Sequence, residues 1–319
     1  MIQALNGARQ LATATMKRAA ATEFRVPVPW GELRGQVWGP EEGRPVLCLH
    51  GWADNSGSFN TLVPLLPQEW RCVALDMAGH GLSSPRPPGV FYTFPAYVAD
   101  VRRVVEALQW KKFSILGHSM GGNVGGMFSA LFPEMVESLV LLDSYGFLPT
   151  DTKELPYVMR KGMLEMVELE KSEREGRKER LYTYDRAMQR LMQANPKLTE
   201  QSAKHLLERG LKEVEGGFVF TRDIRVNLKN VTRISLEQSL ELQSRIQARV
   251  LLLLADAGLN KVFPLPEGCS EALMNGYQRN KNMKVITVAG DHHVHMNQPE
   301  AVAAIVTDFM QSADNTAKL

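Results

Sequence analysis

Ser119 sits in Gly117-His118-Ser119-Met120-Gly121, a G-x-S-x-G arrangement within a chain of 319 residues. A serine hydroxyl can attack a carbonyl carbon and carry the acyl group covalently, but at neutral pH it is a poor nucleophile and needs a base within hydrogen-bond reach. The glycines on either side have a steric reason. A serine on a strained strand-to-helix turn leaves no room for side chains two residues away, and the turn aims a helix N-terminus at the charge that develops. Candidate bases crowd into one later segment, Asp291-His292-His293-Val294-His295.

Those residues need a scaffold, and short apolar runs bounded by turn residues supply one. Val46 to Leu49 ends in His50-Gly51, and Cys72 to Leu75 ends in Asp76. Phe113 to Leu116 ends in Gly117, and Leu139 to Leu142 ends in Asp143. Runs this short and this uniformly apolar suit strands buried on both faces of a parallel sheet. Between them, Val98, Val101, Val105 and Leu108 fall on one helical stripe. Alternating strand and helix reads as repeated βαβ units, an α/β fold with a mostly parallel, doubly wound sheet. After Tyr145 the pattern breaks. Residues 151–233 are rich in Glu, Lys, Arg, Met and Leu, and 164–180 are highly charged and helix-prone. The strand signature returns at Val250 to Leu254 and Lys284 to Val288, and a final helix can start near Pro299. The organisation expected is a core of residues 24–145 and 235–313, interrupted after the sixth strand by a helical cap at 146–234.

Composition narrows the function class. Lys+Arg 37 against Asp+Glu 35 gives a formal charge of +2, which offers no electrostatic footprint for nucleic acid. Three cysteines (Cys48, Cys72, Cys269) cannot build a disulfide framework and fit a reducing compartment. No apolar stretch is long enough for a membrane span. The ends make competing claims about location. Residues 1–22 hold no Asp or Glu but carry Arg9, Lys17 and Arg18, so 1–23 read as a flexible leader or a transit peptide to mitochondria. The 314–319 tail ends in Ala317-Lys318-Leu319, similar to the tripeptide read by the peroxisomal import receptor, which points to cytoplasm and peroxisome.

The chain resembles the α/β-hydrolase superfamily and, within it, the serine hydrolase-like proteins. The resemblance rests on Val28-Pro29-Trp30-Gly31, on Val46 to Trp52, and on Val63 to Pro67. It rests equally on Gly79-His80-Gly81-Leu82-Ser83, Phe113 to Ser119 and Phe132 to Val136. It extends from about Phe24 to the final helix and is weakest in the insertion. It implies the α/β-hydrolase fold with a helical cap over a serine-based site, a small apolar acyl substrate, and no metal or organic cofactor.

The resemblance also implies roles. In this superfamily the order along the chain is Ser, acid, His. Counting back from Pro299-Glu300 puts His292 at the base, with His293 the near alternative and His295 packed under the loop. A three-His metal site is the competing reading, set aside because the neutral ligands have no nearby Cys and no convincing carboxylate partner. The backbone amides of Met120 and Trp52 take the oxyanion-hole positions. His50 and His80 belong to family turns, and Asp223-Ile224-Arg225 resembles a cap motif with a structural ion pair. The acid departs from the pattern. The usual G-x-x-D turn after Val250 to Leu254 aligns with Ala255-Asp256-Ala257-Gly258, leaving Gly258 at the acid's slot. Asp143, at the end of the preceding core strand, is favoured over Asp256. An ester or thioester hydrolase is the leading expectation. A ligand-binding protein without turnover and a C–C bond hydrolase are the alternatives.

Overall fold

The computed structural model describes residues 21–262, 265–278 and 283–316. The strands are β1 (Thr22–Val28), β2 (Gly31–Trp38), β3 (Arg44–Leu49), β4 (Trp70–Asp76), β5 (Phe113–His118), β6 (Val136–Leu142), β7 (Leu211–Val214), β8 (Gly217–Phe220), β9 (Arg249–Ala257) and β10 (Met283–Asp291). Eight of them form one sheet in the order β1-β2-β4-β3-β5-β6-β9-β10. From β4 onward every pairing is parallel, while β1–β2 and β2–β4 are antiparallel. The mostly parallel sheet read from the apolar runs is therefore present, and each run falls on one of its strands. The β1–β2 hairpin was not visible as a run, because β1 lies at the sheet edge and buries little beyond Val26. Thr22 and Glu23, assigned to the leader from sequence, are the first residues of β1. Asp314 to Thr316, assigned to the tail, belong to the last helix. Residues 1–20 and the tripeptide Ala317 to Leu319 lie outside the described residues.

Helices cover both faces. They are α1 (Phe94–Ala107), α2 (Met120–Leu131), α3 (Leu155–Arg174), α4 (Tyr184–Ala194), α5 (Glu200–Gly210), α6 (Leu236–Ser244), α7 (Leu259–Val262), α8 (Cys269–Gln278), α9 (Val294–Asn297) and α10 (Pro299–Thr316). Thr93 caps α1 by accepting the Ala96 amide, and Val98, Val101 and Val105 are buried against the sheet. One apolar cluster joins α1 and α2 to one face of the sheet. A second joins α10, through Val302, Val306, Phe309 and Met310, to the other. This sandwich keeps the carboxyl ends of the parallel strands rigid, which is where open α/β sheets place their ligands. Among the described residues no helix is long and apolar enough to cross a membrane.

Between β6 and β9 the chain leaves the sheet and builds α3, α4, α5 and the antiparallel β7–β8 pair. The charged helix anticipated to Arg180 ends at Arg174 instead. Gly176, with φ of 82°, closes it in a left-handed cap, its amide bonding the Glu173 carbonyl and that of Arg177 bonding Ser172. Met188, Leu191 and Met192 pack against Leu198, Ala203, Leu206 and Met296. Buried ion pairs tie this segment to the sheet. The Arg209 guanidinium donates to both oxygens of Asp76 at the end of β4 (2.7–3.3 Å) and to Glu23 of β1. The Asp223–Arg225 pair is present at 2.6 Å, with Tyr92 donating to the same carboxylate.

Candidate active site

Ser119 occupies the turn between β5 and α2 with φ of 49° and ψ of −114°, a conformation an L-residue adopts only at a cost. The glycines explain how the turn is tolerated. A Cβ on Gly121 would lie 2.0 Å from the Leu49 carbonyl oxygen, and one on Gly117 would lie 2.6 Å from the Gly121 oxygen. Only a backbone without side chains at those positions packs the helix this close to the sheet. The Ser119 amide is fixed by the Leu142 carbonyl (3.1 Å), so the hydroxyl stands above the strand ends.

His292 lies on the loop after β10, 9% exposed. Its Nε2 is 2.9 Å from Ser119 Oγ and its Nδ1 is 2.6 Å from Asp143 Oδ2. With Nδ1–H donating to the carboxylate, Nε2 is left as the acceptor that faces the hydroxyl. Asp143 follows β6 directly, also in the left-handed region (φ 45°). Its buried carboxylate takes two backbone donors, Ala255 N–H on Oδ1 (3.0 Å) and Leu259 N–H on Oδ2 (2.6 Å). A buried anion with donors on both oxygens can hold a fixed direction while its partner imidazole gains a proton. The other carboxylate considered from sequence, Asp256, accepts the Gly290 amide (3.0 Å) and so braces the loop that carries His292.

The departure at Gly258 has a physical counterpart. A Cβ at Gly258 would fall 2.2 Å from Asp143 Oδ2. Gly258, at the slot where the usual G-x-x-D turn would put the acid, thus leaves the space that the Asp143 carboxylate occupies. Two carboxylates cannot share that volume.

The neighbouring histidines take other work. His50 Nδ1–H donates to the Gly51 carbonyl (2.8 Å) and Nε2 accepts the Met77 amide (3.0 Å), which pins the turn leading to Trp52. Burial holds His50, His80 and His118 below the ordinary imidazole range, and pushes His295 down to about 3. His118 Nε2–H donates to the His292 backbone carbonyl (2.8 Å), so the residue beside Ser119 braces the loop opposite. His293 faces Asp54 at 3.7 Å. Burial alone would lower His293, but the Asp54 carboxylate outweighs it and raises the pKa. In turn, burial of Asp54 is outweighed by His293, which holds the acid below its usual range. Sequence reasoning singled out neither the Asp54–His293 pair nor the bracing role of His118. Nothing short of the fold brings residues 54, 118 and 293 together. Among the described residues no group of three or more His, Cys, Asp or Glu is arranged to hold a metal ion.

Met120 is the first residue of α2, where a backbone N–H has no intrahelical acceptor. Trp52 follows the His50-Gly51 turn, lines cavities on both sides of Ser119, and donates its indole N–H to the Val226 carbonyl (2.9 Å). Arg222 lies over the Trp52 ring at 5.8 Å. The larger cavity, about 380 Å³, is walled by Tyr92, Phe94, Phe147, Val226 and Leu259 beside Ser119 and Met120. The smaller, about 180 Å³, holds His292, His293, Asp54, Asp291 and Lys197. Leu155, Met159, Met163, Leu164, Met166, Leu181, Met188, Leu191 and Met192 of the helical segment line neither cavity. They pack on one another or, like Met163 and Leu164, face outward. The wall facing Ser119 comes instead from the 226–233 stretch.

The family model for the alpha/beta hydrolase fold matches residues 44–209. A serine hydrolase-like protein of Danio rerio is 61% identical over 318 residues, covering 99% of this chain and 97% of that one. Serine hydrolase-like protein 2 of Homo sapiens is 39% identical over 301 residues, covering 91% and 94%. Among solved structures, a hypothetical protein from Pseudomonas aeruginosa PAO1 superposes with a TM-score of 0.79 at 30% identity, covering 91% of this chain and 99% of that one. The thioesterase domain from the curacin biosynthetic pathway does so with a TM-score of 0.72 at 23% identity, covering 90% and 99%, a likeness of fold.

Proposed function

The chain belongs to the α/β-hydrolase superfamily, close to the serine hydrolase-like proteins, and on that premise we propose that it hydrolyses an ester or thioester of a small, largely apolar acyl group through an acyl-enzyme. The observation that carries this reading is the continuous contact from Asp143 through His292 to Ser119, at 2.6 and 2.9 Å. Ser119 Oγ attacks the carbonyl carbon as its proton passes to His292 Nε2. The charge on the carbonyl oxygen is met by the Met120 and Trp52 amides, donors already in place before the charge forms. When the tetrahedral intermediate collapses, the C–O or C–S bond breaks and His292 returns the proton to the departing oxygen or sulfur. Water then attacks the acyl-enzyme, loses its proton to His292, and releases the acid as Ser119 Oγ is reprotonated. Asp143 orients the ring and stabilises its cationic form throughout. The 146–234 segment serves as the cap that excludes bulk water.

A fluorophosphonate probe tests the proposal directly. The wild-type protein should be labelled rapidly, and Ser119→Ala should not be labelled at all. A wild-type protein that stays unlabelled while properly folded would overturn it.

A further inference from the structure

The two cavities that meet at Ser119 differ in charge, and the difference assigns the ends of the substrate. His292 must protonate the leaving atom, and it lines the smaller cavity. The leaving group therefore departs on that side, past the carboxylates of Asp54 and Asp291. The acyl group then extends into the larger cavity. Among the described residues no Asp or Glu lines that cavity, and its wall carries Lys229 and Arg233. These same cations line a third, open cavity of about 540 Å³, together with Lys153, Lys161 and one carboxylate, Glu154. An apolar channel thus begins at Ser119 and ends in a basic mouth.

Arg233 is the informative residue there. Its Nε donates to the Asn230 carbonyl (3.0 Å), and among the described residues no carboxylate pairs with its guanidinium. Burial lowers its pKa with no counter-charge acting in the other direction. By contrast Arg86, Arg209 and Arg225 each meet an Asp. A cation drawn out of water without a partner is unfavourable unless a ligand supplies the charge.

Resting on the hydrolase reading above, we propose that the acyl chain this site accepts ends in an anion, a carboxylate or a phosphate monoester. Arg233 grips it, with Lys229, Lys153 and Lys161 around it. Planar, bidentate recognition of such a group is what a guanidinium does better than an ammonium. The chain between the two ends is apolar, matching Phe94, Phe147, Leu148 and Leu259.

The experiment compares p-nitrophenyl esters of straight-chain monocarboxylic acids with length-matched half-esters of dicarboxylic acids. The chains are long enough that the free carboxylate cannot cyclise onto the ester. The wild-type protein should favour the anionic ester by about 10- to 100-fold in kcat/KM, mainly through KM. Raising ionic strength should shrink the ratio. Arg233→Gln should collapse it by at least about tenfold, and Arg233→Lys should keep part of it. A preference for the neutral ester at every length, or a ratio unmoved in Arg233→Gln, would overturn the proposal. Calorimetric titration of Ser119→Ala with a long dicarboxylate, an alkyl phosphate and a monocarboxylate separates this from the hydrolase reading. Tight binding of either anion-tipped ligand, lost in the Arg233→Gln double variant, supports the anion site even if no ester is turned over. Whichever of the two binds tighter identifies the anion. Equal binding of all three ligands refutes the anion site while leaving hydrolysis standing.

Discussion

The sheet and the helical segment above it are held by different physics. At the sheet, position follows from backbone. Ser119 is fixed by a turn only glycines allow, Asp143 by two amides and His292 by a loop braced through His118 and Asp256. The inner strands β4, β5 and β6 are almost completely buried. In the helical segment, position follows from a few side-chain anchors. Arg209 reaches Asp76, Asp223 accepts the Tyr92 hydroxyl, and the Val226 carbonyl holds the Trp52 indole. Much of α3 faces outward, with Tyr157, Leu164 and Val167 exposed. The comparison teaches that the reacting atoms and the pocket wall can be disturbed separately. In the proposed function, reaction chemistry belongs to the sheet edge, and selection belongs to a segment attached at identifiable points.

The largest effects should come from the sheet edge. Ser119→Ala should lower kcat on an activated ester by about 10⁶-fold and Asp143→Asn by about 10⁴-fold, with KM little changed, as read by steady-state kinetics. Asp256→Asn should cost far less, since its carboxylate faces a backbone amide. If Asp143→Asn retains the wild-type rate, the assignment of the acid is wrong.

Next comes the steric exchange at Gly258. Gly258→Asp alone should inactivate the protein, because the new Cβ meets the Asp143 carboxylate at 2.2 Å. Pairing it with Asp143→Gly should restore at least about tenfold of the rate lost in Asp143→Gly alone. A double variant no faster than that single variant would show that the two positions do not share one acid site.

The attachment of the helical segment is tested by Arg209→Ala. It leaves Asp76 buried without its charge partner and should reduce the unfolding free energy in urea by about 3–5 kcal/mol. An unaltered transition midpoint would show that the anchor does not hold.

The smallest effect should be in pH dependence. The Asp54–His293 pair is charged between the lowered pKa of Asp54 and the raised pKa of His293. His293 binds its proton more tightly folded than unfolded, so its contribution is full below the unfolded imidazole pKa and fades as pH rises through the folded value. Asp54 contributes above its unfolded pKa and loses that as pH falls through its folded value. Asp54→Asn should therefore be more destabilising near pH 6 than near pH 9, as read from urea unfolding at the two pH values. A loss independent of pH would leave the pair without an electrostatic role.

Much of this was legible in the residues. The uniformly apolar runs marked the inner strands, since burial on both faces leaves no alternation to disguise them. Gly117 and Gly121 marked the turn, because steric exclusion acts on near neighbours in the chain. The β1–β2 hairpin escaped because an edge strand buries only part of its length. The pocket wall was not legible either, since Met188, Leu191 and Met192 pack against Leu198, Leu206 and Met296 and the cavity beside Ser119 is lined instead by residues such as Val226, Leu228 and Arg233.

By itself, then, the sequence determined which element types form, where the hydroxyl is presented, and that imidazoles follow the last strand. These depend on local sterics and on apolar periodicity, both written in short stretches of chain. Only the tertiary structure brought Asp143 rather than Asp256 to His292, brought Asp54 to His293, and left Arg233 with no carboxylate paired to its guanidinium among the described residues. Those outcomes turn on ångström distances between residues far apart in the chain, and packing alone sets such distances.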